Sequence, residues 1–142
     1  MSTTSWRAYS LMLFGNLDFS HAAMVIQDNN KLKILQSAPK DKYSSGYVSM
    51  LSIKNFFSDV TDYQILRHDK LSMNFNISSD LNKSFDFDFN RIDSSKIYCT
   101  ELIDNIIYKN GFLRYNKNKE YIWPSELGNH LLEQGFYKVL RN

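Results

Sequence analysis

Cys99 is the only cysteine of this 142-residue chain, and the residues after it follow a helical pattern. Apolar side chains stand three, four, seven and eight positions further on, at Leu102, Ile103, Ile106 and Ile107, which is the stripe of one helical face. The spacing predicts that Cys99 lies at the N-terminus of a helix, at the start of its buried stripe. The positive end of the helix dipole and the unpaired N–H groups there favour a thiolate and could hold an oxyanion. These are the requirements of a nucleophile that attacks a carbonyl.

The predicted helix has signals at both ends. The acidic and hydroxyl side chains of residues 93–95 could cap its first N–H groups. Gly111 stands where a helix is expected to end in the left-handed conformation. Two acidic residues of the helix, Glu101 and Asp104, suit its dipole, but as anions near Cys99 they would raise the pKa of the thiol.

A cysteine nucleophile needs a general base within hydrogen-bond reach, and three histidines are present. His68 and His130 lie in polar surroundings, and we expect both to face solvent. His21 differs because it belongs to the otherwise apolar run 19–26, which is typical of a strand. A lone histidine on such a strand is more often a satisfied core group than a functional one. Its combination with a lone cysteine at a helix start favours the functional interpretation.

The hairpin that carries His21 also nominates a third residue. Two apolar runs flank a turn at residues 28–30, which predicts two antiparallel strands. With a two- or four-residue loop, Gln36 lies diagonal to His21 on the same face, and its amide oxygen could accept the imidazole N–H. A three-residue loop would place Ser37 opposite His21 instead. We favour Gln36, although a glutamine stabilises an imidazolium less than a carboxylate does.

The remaining patterns complete one α+β domain over residues 1–142. Residues 68–83 show no interpretable periodicity. The other predicted elements are an N-terminal helix over 5–14, a strand over 43–48, a helix over 50–57, a strand over 63–67 that pairs with the hairpin, an extended segment over 84–89, a helix over 125–132 and an edge strand over 136–140.

Phenylalanine and aspartate alternate strictly over residues 84–89, which predicts a buried phenylalanine face and a solvated aspartate face. Asp86 and Asp88 would point the same way, as the carboxylates of a metal site do. Apart from Asp93, no third carboxylate stands at a suitable spacing, and the glycine of a calcium loop is missing. We therefore predict neither a metal nor a cofactor.

Composition limits the partners and the compartment. The net charge is +2 with interspersed signs, so no basic stripe suggests nucleic acid. A single cysteine cannot form an internal disulfide. Arg7 and Asp18 interrupt the apolar residues of the N-terminus, so no secretory or transmembrane segment is predicted. The chain is thus expected in the cytoplasm or exported by a signal-independent route, and its oligomeric state is open.

Four segments resemble, in order, the hallmark segments of the YiiX/YebB-like proteins, a circularly permuted branch of the NlpC-type papain-like amidases that also contains the lecithin:retinol acyltransferase-like enzymes. The resemblance covers most of the chain from Phe19 onward, and the histidine precedes the cysteine as in that branch. The segments are Phe19-Ser-His-Ala-Ala-Met-Val-Ile26, Ser84-Phe-Asp-Phe-Asp-Phe89, Tyr98-Cys-Thr-Glu-Leu-Ile103 and Trp123-Pro-Ser125.

The resemblance implies a permuted papain-like fold with a central antiparallel sheet or half-barrel packed against the cysteine-bearing helix. It implies Cys99 as nucleophile, His21 as base and a polar third position at Gln36 or Ser37. Family members carry a Gly-Asp-containing strand before the histidine, whereas residues 1–18 here predict a helix. The third position is often acidic or histidine in the family.

The implied activity is hydrolysis or acyl transfer on an amide or ester through a thioacyl intermediate. Peptidoglycan peptides, other isopeptides and lipid acyl groups are the implied substrates, and Tyr98, Phe112 and Trp123 could line an apolar cleft. The alternative is a non-catalytic binding or accessory module whose papain-like site is vestigial.

Overall fold

The structure, a computed structural model, describes residues 10–15, 19–40, 45–58, 63–71, 80–87, 95–115 and 122–139. Within these ranges, no helix is both long and apolar enough to cross a membrane. The elements in chain order are β1 (Ser10–Gly15), β2 (Phe19–Asp28), β3 (Lys31–Gln36), β4 (Ser49–Ser52), α1 (Ile53–Phe57), β5 (Tyr63–Arg67), β6 (Ser84–Phe85), β7 (Lys96–Ile97), α2 (Cys99–Lys109), α3 (Pro124–Glu133) and β8 (Tyr137–Lys138).

Among the described residues, an antiparallel sheet of six strands forms the centre of the fold, in the order β4-β3-β2-β1-β5-β8. The strands β6 and β7 form a separate parallel pair just before α2. The predicted α+β class is confirmed, and β8 lies at the sheet edge as predicted. The predicted partner of β5 is wrong, because β5 pairs with β1 and β8 rather than with the hairpin.

β1 corrects the predicted N-terminal helix. Residues 10–15 are extended and pair with β2 on one side and with β5 on the other. Two ladders satisfy the backbone polar groups on both edges, whereas a short helix is costly to nucleate and gains its stability from packing. A strand therefore does precede the histidine strand. Residues 1–9 and 16–18, on which the rest of that prediction falls, lie outside the described residues.

The hairpin of β2 and β3 has the predicted register. The pairs run from Asp28 with Lys31 to Met24 with Leu35, so the loop is the two residues Asn29 and Asn30. Both have positive φ, 48° and 66°, which a type I′ turn requires and asparagine tolerates. This register decides which side chains of β3 share a face with His21.

The predicted helix over residues 50–57 is correct only in its second part, because its first residues form a strand. Residues 49–52 form β4, because Met50 and its neighbours pair with the end of β3, opposite Leu35. The helix α1 starts only after Ser52, whose Oγ accepts the Asn55 N–H at 3.1 Å. Of the predicted strand over 43–48, residues 43 and 44 lie outside the described part, and Tyr47 makes a single bridge to the β6 strand.

The predicted faces of residues 84–89 are wrong at Asp86 and Phe87, whereas Phe85 is half-buried and packs against the core as predicted. The strand β6 ends at Phe85, and the Asp86 N–H donates to the Ile97 carbonyl at 3.2 Å. Asp86 is buried and Phe87 is 70% exposed, the reverse of the prediction. Because the extended geometry ends here, the alternation of side chains no longer applies. Asp88 and Asp93 lie outside the described residues.

β2 is buried on both faces, and its two sides belong to different clusters. Ala22 and Met24 pack towards α2 and α3, while Ala23 and Val25 pack towards α1. The predicted buried stripe of α2 is confirmed, since every member is at most 3% exposed after the cysteine itself. Its members are Cys99, Leu102, Ile103, Ile106 and Ile107. The stripe fixes α2 against the strand that carries His21.

Candidate functional site

The helix α2 begins at Cys99, as predicted, and Tyr98 is its N-cap residue. Of the residues 93–95 predicted to cap the helix, Ser95 precedes β7 and is not the N-cap residue, and residues 93 and 94 lie outside the described part. The Glu101 carboxylate accepts the Tyr98 N–H at 3.3 Å instead. At the other end, Gly111 has φ +94° and follows the C-cap residue as predicted.

The residues on either side of Cys99 are both bound to Ile122, just before α3. The Ile122 N–H donates to the Tyr98 phenol oxygen at 3.1 Å, and the Thr100 hydroxyl donates to the Ile122 carbonyl at 2.6 Å. Tyr98, Thr100 and Ile122 are fully buried. Sequence patterns gave no sign of these two bonds, although a threonine in the first turn of a helix is a recognisable donor. They hold the backbone around the sulfur in one conformation.

We expect Tyr98→Phe to destabilise the fold by about 1–3 kcal/mol, because the buried Ile122 N–H loses its acceptor. Urea denaturation measures this loss. Tyr108→Phe is the matched control, since Tyr108 is 51% exposed and its change should lie within about 0.5 kcal/mol. Equal effects of the two variants would contradict the structural role of the phenol.

His21 stands beside an irregularity of the sheet. On β1, Phe14 is paired with His21, but Gly15 is paired with Phe19, so the register shifts at Ser20. Such a shift bends a strand and re-aims its side chains. The irregularity lies at the end of β2 where β3 has also stopped pairing, so it shapes the edge next to Cys99.

The sulfur of Cys99 faces an edge of β2 with which no strand of the described residues pairs. The β2–β3 ladder ends at the Met24–Leu35 pair. Counting hydrogen-bonded pairs from the two-residue turn directs the N–H of Ala22 towards the β3 side. That N–H and the N–H of Thr100 both bond to the sulfur. The site is thus built where β3 leaves β2 and the N-terminus of α2 takes its place.

The structure brings the three predicted side chains together. The Cys99 thiol makes a hydrogen bond with the His21 imidazole, and His21 Nε2 lies 2.9 Å from Gln36 Oε1. An amide oxygen only accepts, so Nε2 carries the hydrogen and Nδ1 is the ring nitrogen left for the sulfur. Ser37 is directed elsewhere, to the Ile97 carbonyl. The predicted contacts of Cys99, His21 and Gln36 are confirmed.

The environment lowers the pKa of the Cys99 thiol below its ordinary value. Burial by itself raises the pKa, because it penalises the charged form. The hydrogen bond to His21 and the charge of its imidazole, with the N–H groups of Ala22 and Thr100, lower the pKa by more. The balance favours the thiolate.

Glu101 and Asp104 do not reverse this balance. The Glu101 carboxylate bonds to the Tyr98 N–H. The Asp104 carboxylate accepts the Tyr115 N–H at 2.9 Å and has Arg114 at 3.7 Å. Both acids interact with other partners. The pKa of the Cys99 thiol is lowered, although the sequence led us to expect that these acids would raise it.

The other two histidines are half-buried, so the expectation that they face solvent holds only in part. His68 is half-buried, with ring centroids 4.7 Å from Phe112 and 5.0 Å from Phe136. His130 is half-buried too, and its Nε2 lies 2.8 Å from the Leu113 carbonyl. Both rings contact residues that follow α2, and neither histidine is among the groups that shift the pKa of the thiol.

The three aromatic residues proposed to line a cleft differ in their exposure to solvent. Tyr98 is fully buried, and Phe112 packs in a ring cluster with His68 and Phe136. Trp123 is 56% exposed. Because Trp123 follows Ile122, which is bonded to both neighbours of Cys99, Trp123 is the aromatic of this group that a substrate could contact.

The fold and the site define an α+β protein whose antiparallel sheet carries a histidine and whose packed helix starts with a cysteine bonded to it. A crystal structure described as the metalloprotein yiiX from Escherichia coli O157:H7 is similar to this chain, with a TM-score of 0.71 and 13% identity over 97% of this chain and 98% of that one. The chain therefore has a YiiX-like fold. No protein-family model and no curated protein matches it.

The described residues do not assemble the donors of a metal centre. Within the ranges given above, no three or more His, Cys, Asp or Glu side chains come together in a way that could hold an ion. At the site, Cys99 and His21 are bonded to each other, and the Gln36 oxygen accepts from the imidazole. The word metalloprotein thus describes the similar structure, and the donors of the described residues do not support extending it to this chain.

Proposed function

We propose that this protein is a cysteine hydrolase or acyl-transfer enzyme of the permuted papain-like kind, acting on an amide or ester through a thioacyl intermediate. The single observation that carries the proposal is the relay from the Cys99 thiol to His21 and from His21 to Gln36. The nucleophile lies at a helix N-terminus and has its base and the orienting group of that base in contact. The YiiX-like fold supports the scaffold.

In the first step, the thiolate of Cys99 attacks the substrate carbonyl and forms a carbon–sulfur bond. The carbonyl oxygen takes the electron pair, and the Cys99 N–H at the start of α2 stabilises this oxyanion. When the tetrahedral adduct collapses, the carbon–nitrogen or carbon–oxygen bond breaks. The His21 imidazolium gives its proton to the leaving amine or alcohol, which leaves a thioester on Cys99.

In the second step, His21 takes a proton from water or from another acceptor, whose oxygen or nitrogen attacks the thioester carbon. The carbon–sulfur bond then breaks, and the thiolate is restored beside the imidazolium. Gln36 holds the ring so that Nδ1 faces the sulfur throughout. A neutral amide stabilises the imidazolium less than a carboxylate would, so Gln36 acts mainly by orientation.

We expect Cys99 to react with iodoacetamide with a pH midpoint below that of the same thiol in the urea-unfolded chain. The reason is that the pKa of the thiol is lowered only in the fold, where His21 and two N–H groups contact the sulfur. Alkylation rates measured by mass spectrometry across pH give both midpoints on one protein. A folded midpoint equal to or above the unfolded one would refute the activated nucleophile.

The substrate is sought among peptidoglycan peptides, isopeptides and lipid acyl esters by trapping the adduct. Incubation of each candidate with the protein, followed by acid quench and intact-mass analysis, reports an acyl mass increase on Cys99. A thioester is lost in neutral hydroxylamine, which distinguishes it from an adduct on a lysine. Trp123, at 56% exposure, favours candidates that carry an apolar or aromatic group near the carbonyl.

A non-catalytic binding module with a vestigial site is the second candidate. The observation that favours it is the burial of Cys99, which is 7% exposed. The alkylation experiment separates the two, because an activated thiol reacts well below pH 8, whereas a vestigial thiol follows its ordinary pKa of about 8.5.

A further inference from the structure

The last residue of β3 and the residue after it contact the two halves of the site. Gln36 Oε1 lies 2.9 Å from His21 Nε2. Ser37 Oγ donates to the Ile97 carbonyl at 2.6 Å. Successive side chains of an extended chain point to opposite faces. Gln36 therefore contacts the imidazole on one side of the sheet, and Ser37 contacts the turn before Cys99 on the other.

The orientation of the Ile97 carbonyl affects the position of the Cys99 nucleophile. It belongs to the peptide that leads into Tyr98 and then Cys99, so its orientation sets the direction in which the chain enters α2. Two groups hold it, the hydroxyl of Ser37 at 2.6 Å and the N–H of Asp86 at 3.2 Å. The hydroxyl bond is the shorter and comes from the strand that also holds the base.

Burial keeps water from replacing either bond of the dipeptide. Gln36 is 6% exposed and Ser37 is fully buried. The two residues are joined by one rigid peptide, with about 3.8 Å between their Cα atoms. A displacement of this strand end therefore moves both contacts together, and a loss of either contact lets the base and the nucleophile move independently.

We propose that Ser37 is a positioning residue for the proposed reaction, which acts through the Ile97 carbonyl to keep the Cys99 sulfur within reach of the imidazole that Gln36 orients. The inference rests on the proposed function and deepens it. The Ser37 hydroxyl donates to a backbone carbonyl and is not among the groups that act on the sulfur, so we assign it a positioning role and not a catalytic one. It sets the distance between the two groups that are catalytic.

The test compares Ser37→Ala with Ser58→Ala by iodoacetamide alkylation of Cys99 across pH. Ser58 is a matched control, because its hydroxyl also donates to a backbone carbonyl, that of Asn55 at 2.7 Å, at the exposed end of α1. We expect Ser37→Ala to slow alkylation near neutral pH by about 10-fold or more and to move the pH midpoint upwards. Ser58→Ala should leave both unchanged.

A second measurement separates positioning from mere stability. Gln36→Ala and the double variant complete a cycle, and we expect the double variant to lose much less than the product of the two single losses, because both residues act on one distance. Thermal melting of the same proteins reports their stability. A Ser37→Ala protein with a lower melting temperature but the midpoint of the wild type would overturn the inference.

The outcomes distinguish the two proposals. If the wild-type midpoint is lowered and Ser37→Ala keeps it, the inference fails and the proposed function stands. If the wild-type thiol is not activated, the proposed function fails. In that case, alkylation of Ser37→Ala at the rate of Ser58→Ala would overturn the inference as well. A slower rate in Ser37→Ala would retain Ser37 as a residue that positions the turn before Cys99.

Discussion

Cys99→Ser is expected to abolish the proposed acyl chemistry while the fold remains nearly unchanged. The substitution replaces sulfur by oxygen at the same position, so the free energy of unfolding should change by about 1 kcal/mol. The rate should fall by several orders of magnitude, because a hydroxyl at this site ionises far less readily than the thiol. Turnover of a trapped substrate and urea denaturation measure the two effects separately.

The control for Cys99→Ser is the acyl adduct itself. The wild-type protein should accumulate or turn over a hydroxylamine-sensitive thioester, and the variant should show none. Turnover by Cys99→Ser at the wild-type rate would place the chemistry elsewhere and favour the binding module.

His21→Ala is expected to raise the pKa of the Cys99 thiol and to reduce turnover about as severely as loss of the thiol. In the wild-type fold, burial raises the pKa, and His21 contributes the two largest of the opposing effects. Without the imidazole, burial is opposed only by backbone N–H groups, so the folded midpoint of alkylation should rise towards or above that of the unfolded chain. The folded midpoint minus the unfolded midpoint is thus negative in the wild type and should become less negative or positive in His21→Ala.

The matched control for His21→Ala is His130→Ala, which removes a half-buried imidazole that is not among the groups shifting the pKa of the thiol. Both variants lose a ring and its hydrogen bond, and only His21→Ala should shift the midpoint. Residues that act as one catalytic unit lose activity together, so the double variant with Cys99→Ser should be no worse than either single one. A His21→Ala protein with the wild-type pH profile would show that the imidazole does not activate the thiol.

The face shared by Gln36 and His21 and the start of α2 could be predicted because each depends on local geometry, whereas the contact of Cys99 with His21 was predicted from their combination and from the family resemblance. The register of β2 and β3 follows from a two-residue asparagine turn, and this register alone puts Gln36 on the face of His21. The start of α2 follows from apolar spacing that begins at Cys99. Local rules and the sequence order of these segments were therefore sufficient for this part of the site.

The elements that were missed depend on distant partners. The strand β1 has a helix-like local pattern, and its pairing with β2 and β5 cannot be read from residues 10–15 alone. Asp86 and Phe87 have the exposure opposite to their alternation, because the strand β6 ends at Phe85 and the chain turns at residue 87. The bonds of Ile122 to Tyr98 and Thr100 likewise join segments that are separate in sequence.

The two outer strands of the sheet have a consequence for self-association. β4 has 4 residues and β8 has 2, so each outer strand has few backbone N–H and C=O groups with which a neighbouring chain could extend the sheet. Long, flat and apolar edges are the usual templates for aggregation, and short ones limit it. Both outer residues of β8, Tyr137 and Lys138, are exposed, and the lysine charge further opposes strand addition. The longest of the described strands, β2, is not an outer strand, since β1 pairs along residues 19–24 and β3 along residues 24–28.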